Sequence, residues 1–418
     1  MKMYALGGFR EVGRNAVLLE TSHERILLDY GVKVETGEFP LKPEKTPNAL
    51  ILCHPHLDHC GSIPALYRKK AFPLFGTAAT FDQSHLLWVD SMKVAKLKKR
   101  QQPFTLSDIE RARSQETIIT FGQEFEIGRS LIETHFAGHV PGSIMPVIES
   151  DGNRVLYTSD FNTISTRLLN GANAKEFKNI DVLITETTYA YKEHPPREET
   201  EKLFLEAVEE TIDNGGIALI PVFAVGRAAE ILMVLNSIKP KFPIYLDGMA
   251  REATEIILHY PELLRDPRAL KDAFEKSIPI YTDEEREEIL SSPCAIVTTG
   301  GCIEGGPVSF YLNKLYNNSK SSLLFTGYQI PHTAGRFLLE TGRYRTKNID
   351  VKVKMNVQNF DFSAHIGRTQ LLEFIKKLRP GKIICMHGDN CQEFAAEIKN
   401  NIGIDAVAPE SGDVIKLF

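Results

Sequence analysis

The hexapeptide His54-Pro55-His56-Leu57-Asp58-His59 constrains this chain more than any other segment. It directly follows an apolar run, Ala49–Cys53, that reads as a strand, and it precedes Gly61 and a helix start near Ser62. Imidazoles and a carboxylate at this density cannot be core residues, because each is costly to bury without a partner. On a loop at a strand end they project into a common space and suit a hard-to-borderline divalent cation. Four ligands within six residues crowd a single tetrahedral ion, so two metals sharing the loop is the more natural reading. Two-metal sites favour in-line displacement at phosphorus.

Further ligands must come from elsewhere, and three positions share the same grammar of apolar strand followed by ligand. His139 lies in Ala-Gly-His-Val-Pro-Gly-Ser, Asp160 ends the run Val155–Ser159, and His387 ends Lys382–Met386 and precedes Gly388. The chain has 418 residues, enough for two or three domains, and its 43% hydrophobic content excludes global disorder. Its 49 basic and 54 acidic residues give a net charge of −5, so nucleic-acid binding would need a local groove or metal ions. No apolar stretch is long enough for a membrane span, and charges arrive too early for a signal peptide. Six cysteines without a CxxC pair read as reduced, buried thiols in a cytoplasmic protein.

The first third reads as short strands: Lys2–Leu6, Ala16–Glu20, Ile26–Asp29, Ala49–Cys53, Leu131–His135, Ile144–Glu149, Val155–Ser159 and Val182–Glu186. One long helix spans about Phe81 to Arg100; its cations at 93, 96, 98, 99 and 100 form either a solvated face or a phosphate-steering patch. After Pro195-Pro196, helices Arg197–Asp213, Arg227–Ser237 and Met249–Tyr260 alternate with strands Ile217–Pro221, Ile244–Asp247, Ala295–Thr299 and Ser322–Thr326, which predicts a parallel sheet. Strand-rich sequence resumes around Lys352–Phe360, then helix Ile366–Leu378, strand Lys382–Met386 and helix Gln392–Asn400 follow. The layout predicts an α/β module at 196–350 inserted into another domain, which occupies 1–195 and returns at 351–418.

Other segments join these: Gly-Gly-Phe-Arg-Glu-Val-Gly-Arg-Asn at 7–15, Leu-Leu-Asp-Tyr-Gly at 27–31, Ile-Pro-Val-Phe-Ala-Val-Gly-Arg-Ala at 220–228, Leu-Asp-Gly-Met-Ala at 246–250 and Thr-Gly-Tyr-Gln at 326–329. Over essentially its whole length the chain resembles the metallo-β-lactamase superfamily. More narrowly it resembles the β-CASP branch of nucleic-acid-processing nucleases, in the short prokaryotic form of the cleavage-and-polyadenylation type. The resemblance implies an α/β fold, a metallo-β-lactamase αββα sandwich with an inserted β-CASP domain. It implies that His54, His56 and His139 hold one metal and Asp58, His59 and His387 the other, with Asp160 bridging and Asp29 orienting ligands from behind. The cofactor expected is two Zn2+ per chain, with Mn2+ compatible with the same ligands. Glu186, His365 (in Asp-Phe-Ser-Ala-His) and His387 match the three motifs special to the branch, and a histidine at the third resembles its RNA-processing members. Two departures from the family pattern, Pro331-His332-Thr333 and Gly300-Gly301-Cys302, lie in the inserted module, and His332 has no assigned role.

The function this implies is hydrolysis of phosphodiester bonds in single-stranded RNA during processing or decay, by a two-metal hydroxide mechanism. Endonuclease and 5′-to-3′ exonuclease action both stay open. His365, Glu186 and Asp58 are the candidate catalytic residues: His365 would protonate the leaving oxygen or bind the scissile phosphate, and Glu186 would favour its charged form. The weaker alternative for the Glu186–His365 pair is an ordinary domain-interface ion pair. Ser143, Arg227 and Thr333 are candidate phosphate contacts, with Ser363 weaker, although turn geometry explains the same loops. Tyr189 and Tyr191 either stack bases or pack. A groove between the modules is the expected channel, admitting a single strand. The resemblance also points to a homodimer and to work within an RNA-processing complex, and Asp413–Phe418 is a candidate pairing edge. Three rivals remain: a DNA nuclease of the same fold, a small-molecule metallo-hydrolase and an inactive scaffold subunit. His387 counts against the first, Glu186 and His365 with the inserted module against the second, and the complete ligand set against the third.

Overall fold

In the computed structural model, which describes residues 1–97, 103–346 and 349–418, contacts divide the chain into two units. The first comprises residues 1–164, 171–193 and 364–418; the second comprises 165–170 and 194–363.

The first unit is built from two seven-stranded sheets. One runs, in spatial order, Val414–Lys416, Lys2–Gly7, Ala16–Glu20, Arg25–Leu28, Ala49–Ile51, Leu74–Gly76 and Glu116–Ile118. The other runs Asp405–Val407, Lys382–Met386, Val182–Glu186, Asn153–Tyr157, Ile144–Ser150, Ser130–Phe136 and Glu124–Ile127. Successive side chains on a strand point to opposite faces, and here both faces are apolar. Val17, Leu19, Ile26, Leu28 and Ile51 meet Ile132, Ile148, Val155, Ile184 and Ile384 of the other sheet in one core. The intervening residues Leu18, Leu27 and Leu50 pack outward with Trp88, Phe81 and Ile109 of helices Ala78–Leu97 and Leu106–Arg113. On the far side Leu156, Leu183 and Ile383 pack with Phe374 and Phe394 of helices Arg368–Leu378 and Cys391–Glu397. These layers form the αββα sandwich.

The second unit holds a six-stranded, all-parallel sheet in the order Ile278–Ile280, Ile244–Asp247, Cys294–Thr299, Ile217–Val222, Ser322–Phe325 and Asn356–Asn359. Apolar clusters cover both of its faces, as parallel sheets require. The chain returns to the first unit at Ala364 rather than near 351, because Asn356–Asn359 still pairs with Ser322–Phe325. Residues 165–170 also join the second unit, where buried Glu230 accepts the amides of Arg167 (3.1 Å) and Leu168 (2.8 Å).

Several elements had no counterpart in the sequence reading: helices Leu106–Arg113, Pro267–Lys276, Pro307–Leu315 and Ala334–Thr341, and the short strands Leu74–Gly76, Glu116–Ile118 and Glu124–Ile127. Cap signals do mark three of these helices: a Thr105/Asp108 capping box, Asp266 before Pro267 and Thr333 before Ala334. The long helix runs Ala78–Leu97; Lys93 and Lys96 on it are exposed, while positions 98–100 of the expected basic cluster lie outside the described residues. All six cysteines are buried and free. Val414–Lys416 pairs antiparallel with Lys2–Gly7 and forms the edge of its sheet. Among the described residues no helix is long and apolar enough to cross a membrane.

Candidate metal centre

Strand topology sets up the site. Asn153–Tyr157, Val182–Glu186 and Lys382–Met386 are adjacent and parallel, so Asp160, Glu186 and His387 emerge at one end of the sheet. In the facing sheet Arg25–Leu28 and Ala49–Ile51 are also adjacent and parallel, which places Asp29 and the His54 loop at a shared edge. Ligand groups at the carboxyl ends of parallel strands follow the general rule for α/β sheets. Asp29, Ser159 and His387 have left-handed backbones (φ 56, 49 and 49°), which turn the chain sharply as it leaves each strand.

The hexapeptide itself runs into a short helix, Leu57–Cys60. Tyr30 N bonds His59 O at 2.7 Å and Val32 N bonds Leu57 O at 2.9 Å, so the segment after Asp29 cradles this turn. Gly31 sits so close that a Cβ there would overlap the Asp58 carbonyl.

Two ligand sets result, each with its donor atoms mutually within 4.8 Å: His54, His56, His139 and Asp160, and Asp58, His59, His387 and Asp160. Asp160 belongs to both. Its Oδ2 lies 3.3 Å from His54 Nε2 and its Oδ1 3.4 Å from His59 Nε2. His387 Nε2 is 3.1 Å from Asp58 Oδ2, and His139 Nε2 is 3.1 Å from His56 Nδ1. The opposite ring nitrogens are anchored: His139 Nδ1 bonds the Ala364 carbonyl (2.9 Å), His387 Nδ1 the Thr188 hydroxyl (2.8 Å) and His59 Nδ1 the Asp29 carboxylate (2.7 Å). Such anchoring fixes the tautomer and aims the other nitrogen inward.

The donor set fits divalent metal. Imidazole and carboxylate suit zinc and its neighbours. His54 Nε2 and Asp160 Oδ1 are buried with no hydrogen-bond partner among the described residues, an arrangement that a bound cation would satisfy. Burial pushes His54 and His139 below the usual histidine range, and burial with the neighbouring His54 pushes His56 down to about 3, so all three are neutral with lone pairs to give. Burial opposes charge on His59 and His387 too, but Asp160, Asp29 and Asp58 raise the first and Asp160 and Asp58 the second. The same imidazoles hold Asp58 and Asp160 well below the carboxylate range despite burial. The centre is a histidine-rich cluster in which Asp58 and Asp160 supply the negative charge.

Beside it, His365 Nδ1 bonds Glu186 Oε2 at 2.8 Å, and Glu186 Oε1 accepts the Phe161 amide at 2.8 Å. The His365 ring centroid lies 4.7 Å from His139 and 6.0 Å from His387. Burial disfavours its charge, but Glu186 and Asp160 carry its pKa up to about 9. Tyr189 is buried with its ring 6.0 Å from His365, whereas Tyr191 is exposed.

The candidate phosphate contacts are placed otherwise. Ser143 is buried, and its hydroxyl accepts the Val140 amide (3.2 Å), closing the turn that carries His139. Thr333 caps helix Ala334–Thr341 by accepting from Arg336 N and donates to Ile330 O. Arg227 opens helix Arg227–Asn236 after Gly226. Both belong to the second unit, as does Ser363. The sequence reading missed Asn15, whose amide lies 2.8 Å from His59 Nε2, and Tyr157 and Ser159, whose hydroxyls donate to Asp29 Oδ2 at 2.9 and 3.1 Å. Their signals were present: Asn15 ends the opening motif, and the other two flank the turn into Asp160.

Comparison with known proteins adds three matched family models: a metallo-beta-lactamase superfamily domain over residues 18–189, a Beta-Casp domain over 228–338 and a Zn-dependent metallo-hydrolase RNA specificity domain over 350–409. A Methanocaldococcus jannaschii protein named probable RNase MJ4 is 35% identical, with 100% of both chains covered. RNase aCSPSF2 of Saccharolobus solfataricus is 34% identical over 99% of this chain and 84% of its own. Transcription termination factor FttA of Pyrococcus horikoshii is 34% identical over 100% of this chain and 71% of its own. A crystal structure of a protein of unknown function from Enterococcus faecalis V583 matches 99% of each chain with a TM-score of 0.62 at 14% identity, a likeness of fold alone. With a full-length relative at this identity and all three domains matched, the chain belongs to the β-CASP branch of the metallo-β-lactamase superfamily.

Proposed function

We propose that the chain is a metal-dependent ribonuclease that hydrolyses phosphodiester bonds of single-stranded RNA and works with two zinc ions. The observation that carries the reading is the pair of ligand sets sharing Asp160, with the His365–Glu186 pair beside them. His54, His56 and His139 would hold one ion and Asp58, His59 and His387 the other, with Asp160 common to both. Such ions, when bound, supply Lewis acidity toward phosphoryl oxygens and make water acidic enough to attack near neutral pH.

The remaining work falls to the chain. Glu186 holds His365 by Nδ1, so the proton it would give is the one on Nε2. Against its burial, Glu186 and Asp160 favour the protonated form of His365. It donates that proton to the 3′ oxygen as the phosphorus–oxygen bond breaks, leaving a 3′-hydroxyl and a 5′-phosphate. Anchoring of His59, His139 and His387 through their outer nitrogens keeps the ligands from turning during the reaction. The RNA specificity domain and the RNase names of the relatives favour RNA over DNA or a small ester.

The test uses circular single-stranded RNA, with and without chelator, beside a linear RNA bearing a 5′-monophosphate. Chelator-sensitive nicking of the circle gives a metal-dependent endonuclease. Decay of the linear RNA alone, releasing mononucleotides from its 5′ end, gives an exonuclease. Cleavage of neither by protein holding its metals would sink the ribonuclease reading.

A further inference from the structure

Ser159 stands where two demands conflict. Its backbone is left-handed (φ 49°), a conformation that glycine adopts freely and a residue with a Cβ rarely does. Its side chain is nonetheless buried in the middle of the centre. The hydroxyl lies 3.2 Å from His54 Nδ1, 3.1 Å from Asp29 Oδ2 and 3.2 Å from His59 Nδ1. His59 Nδ1 already has its proton on Asp29 at 2.7 Å. One consistent assignment remains. His54 Nδ1–H donates to Ser159 Oγ, Ser159 Oγ–H donates to Asp29 Oδ2, and His59 Nδ1–H donates to the same carboxylate.

We infer that Ser159 is a positioning residue that joins the two ligand sets: it fixes His54 with its proton outward and Nε2 inward, and ties it to the Asp29 carboxylate that orients His59. The inference rests on the metal reading of the site. It adds that, among the described residues, the His54 Nδ1 anchor is a side chain of the same centre. Where His139 uses the Ala364 carbonyl and His387 the Thr188 hydroxyl, His54 Nδ1 meets the Ser159 hydroxyl. A glycine at 159 would give the turn without strain but leave that imidazole free to rotate or change tautomer. A side chain retained at a conformation this unfavourable for it points to a use for the hydroxyl.

The test compares S159G, which removes the hydroxyl and relaxes the backbone, with S159A, which removes the hydroxyl alone. Zinc affinity is read by competition with a chromophoric chelator, and the melting temperature is read on metal-free protein. Expected are a loss of about 10–100-fold in affinity for one of two ions in both variants, and a metal-free melting temperature for S159G equal to or above that of the wild type. Turnover with zinc saturating should fall in kcat with KM little changed. Wild-type zinc affinity at both sites in S159G, or a lowered metal-free melting temperature with affinity intact, overturns the inference and leaves the metal reading standing. Failure of the wild-type protein to bind zinc overturns both.

Discussion

At the residue scale, seven side chains from four separate segments converge because each segment follows a strand. Asp160 carries the most weight, since both ligand sets need it. His365 has a different place, against the ligands but anchored on Glu186. Replacing His365 by alanine should therefore lower single-turnover cleavage by about 100- to 10,000-fold while the bound zinc, counted by elemental analysis, stays at the wild-type level. Loss of zinc together with activity would make it a ligand instead. Glu186→Gln should weaken the same step, and the double variant should be little slower than His365→Ala alone, because the two act as one unit. Additive losses in that cycle would separate them. The hexapeptide, His139, Asp160 and His387 stood out in the sequence because donor residues after apolar strands leave a pattern, whereas Glu186 and His365 came forward through the family resemblance. Asn15, Tyr157 and Ser159 lie in segments the sequence marks, but the role of a lone amide or hydroxyl depends on which neighbour it meets.

At the element scale, the strands buried on both faces were readable almost to the residue. Ala16–Glu20, Val182–Glu186 and Lys382–Met386 run as their apolar character predicts. Edge strands such as Glu116–Ile118 were missed because they are partly solvated and owe their conformation to pairing. Helix Leu106–Arg113 depends on its cap. Burial opposes ionisation of Asp108, but the Thr105 amide and hydroxyl and Arg68 hold its carboxyl below the usual range. A depressed carboxylate pKa contributes stability above its unfolded value and loses it as pH falls through the folded one. Asp108→Ala should thus cost about 1 kcal/mol at neutral pH, and the gap from wild type in urea unfolding should close as pH drops below about 4. A gap independent of pH would assign the effect to packing. Gly31→Ala should push the Asp58 turn aside, costing about 1–3 kcal/mol and weakening zinc binding; an unchanged melting temperature and zinc affinity would show that the turn can yield.

At the scale of the molecule, the seven candidate ligands lie in the first unit, together with Glu186 and His365. Metal should therefore stabilise that unit selectively. With zinc at about 1,000 times its dissociation constant the linkage amounts to ~4 kcal/mol per site. Chelation should speed hydrogen exchange in strands Ala49–Ile51, Asn153–Tyr157 and Lys382–Met386 and leave the second unit's sheet unchanged. Equal loosening of both sheets would mean that the two units unfold as one. The insertion of one α/β unit into another was legible from the change in pattern after Pro195-Pro196. The point of return was not, because a strand at 356–359 reads the same whichever sheet receives it.

By itself the sequence determined the donor types, their place at strand ends and the apolar runs that become buried strands, since each is a local property of side-chain chemistry. Only the tertiary structure decided which strand ends share a space, that Asp160 faces both ligand sets, and that Ser143 and Thr333 spend their hydroxyls on turns and caps. Those outcomes depend on register and strand order, which arise from the packing of distant segments.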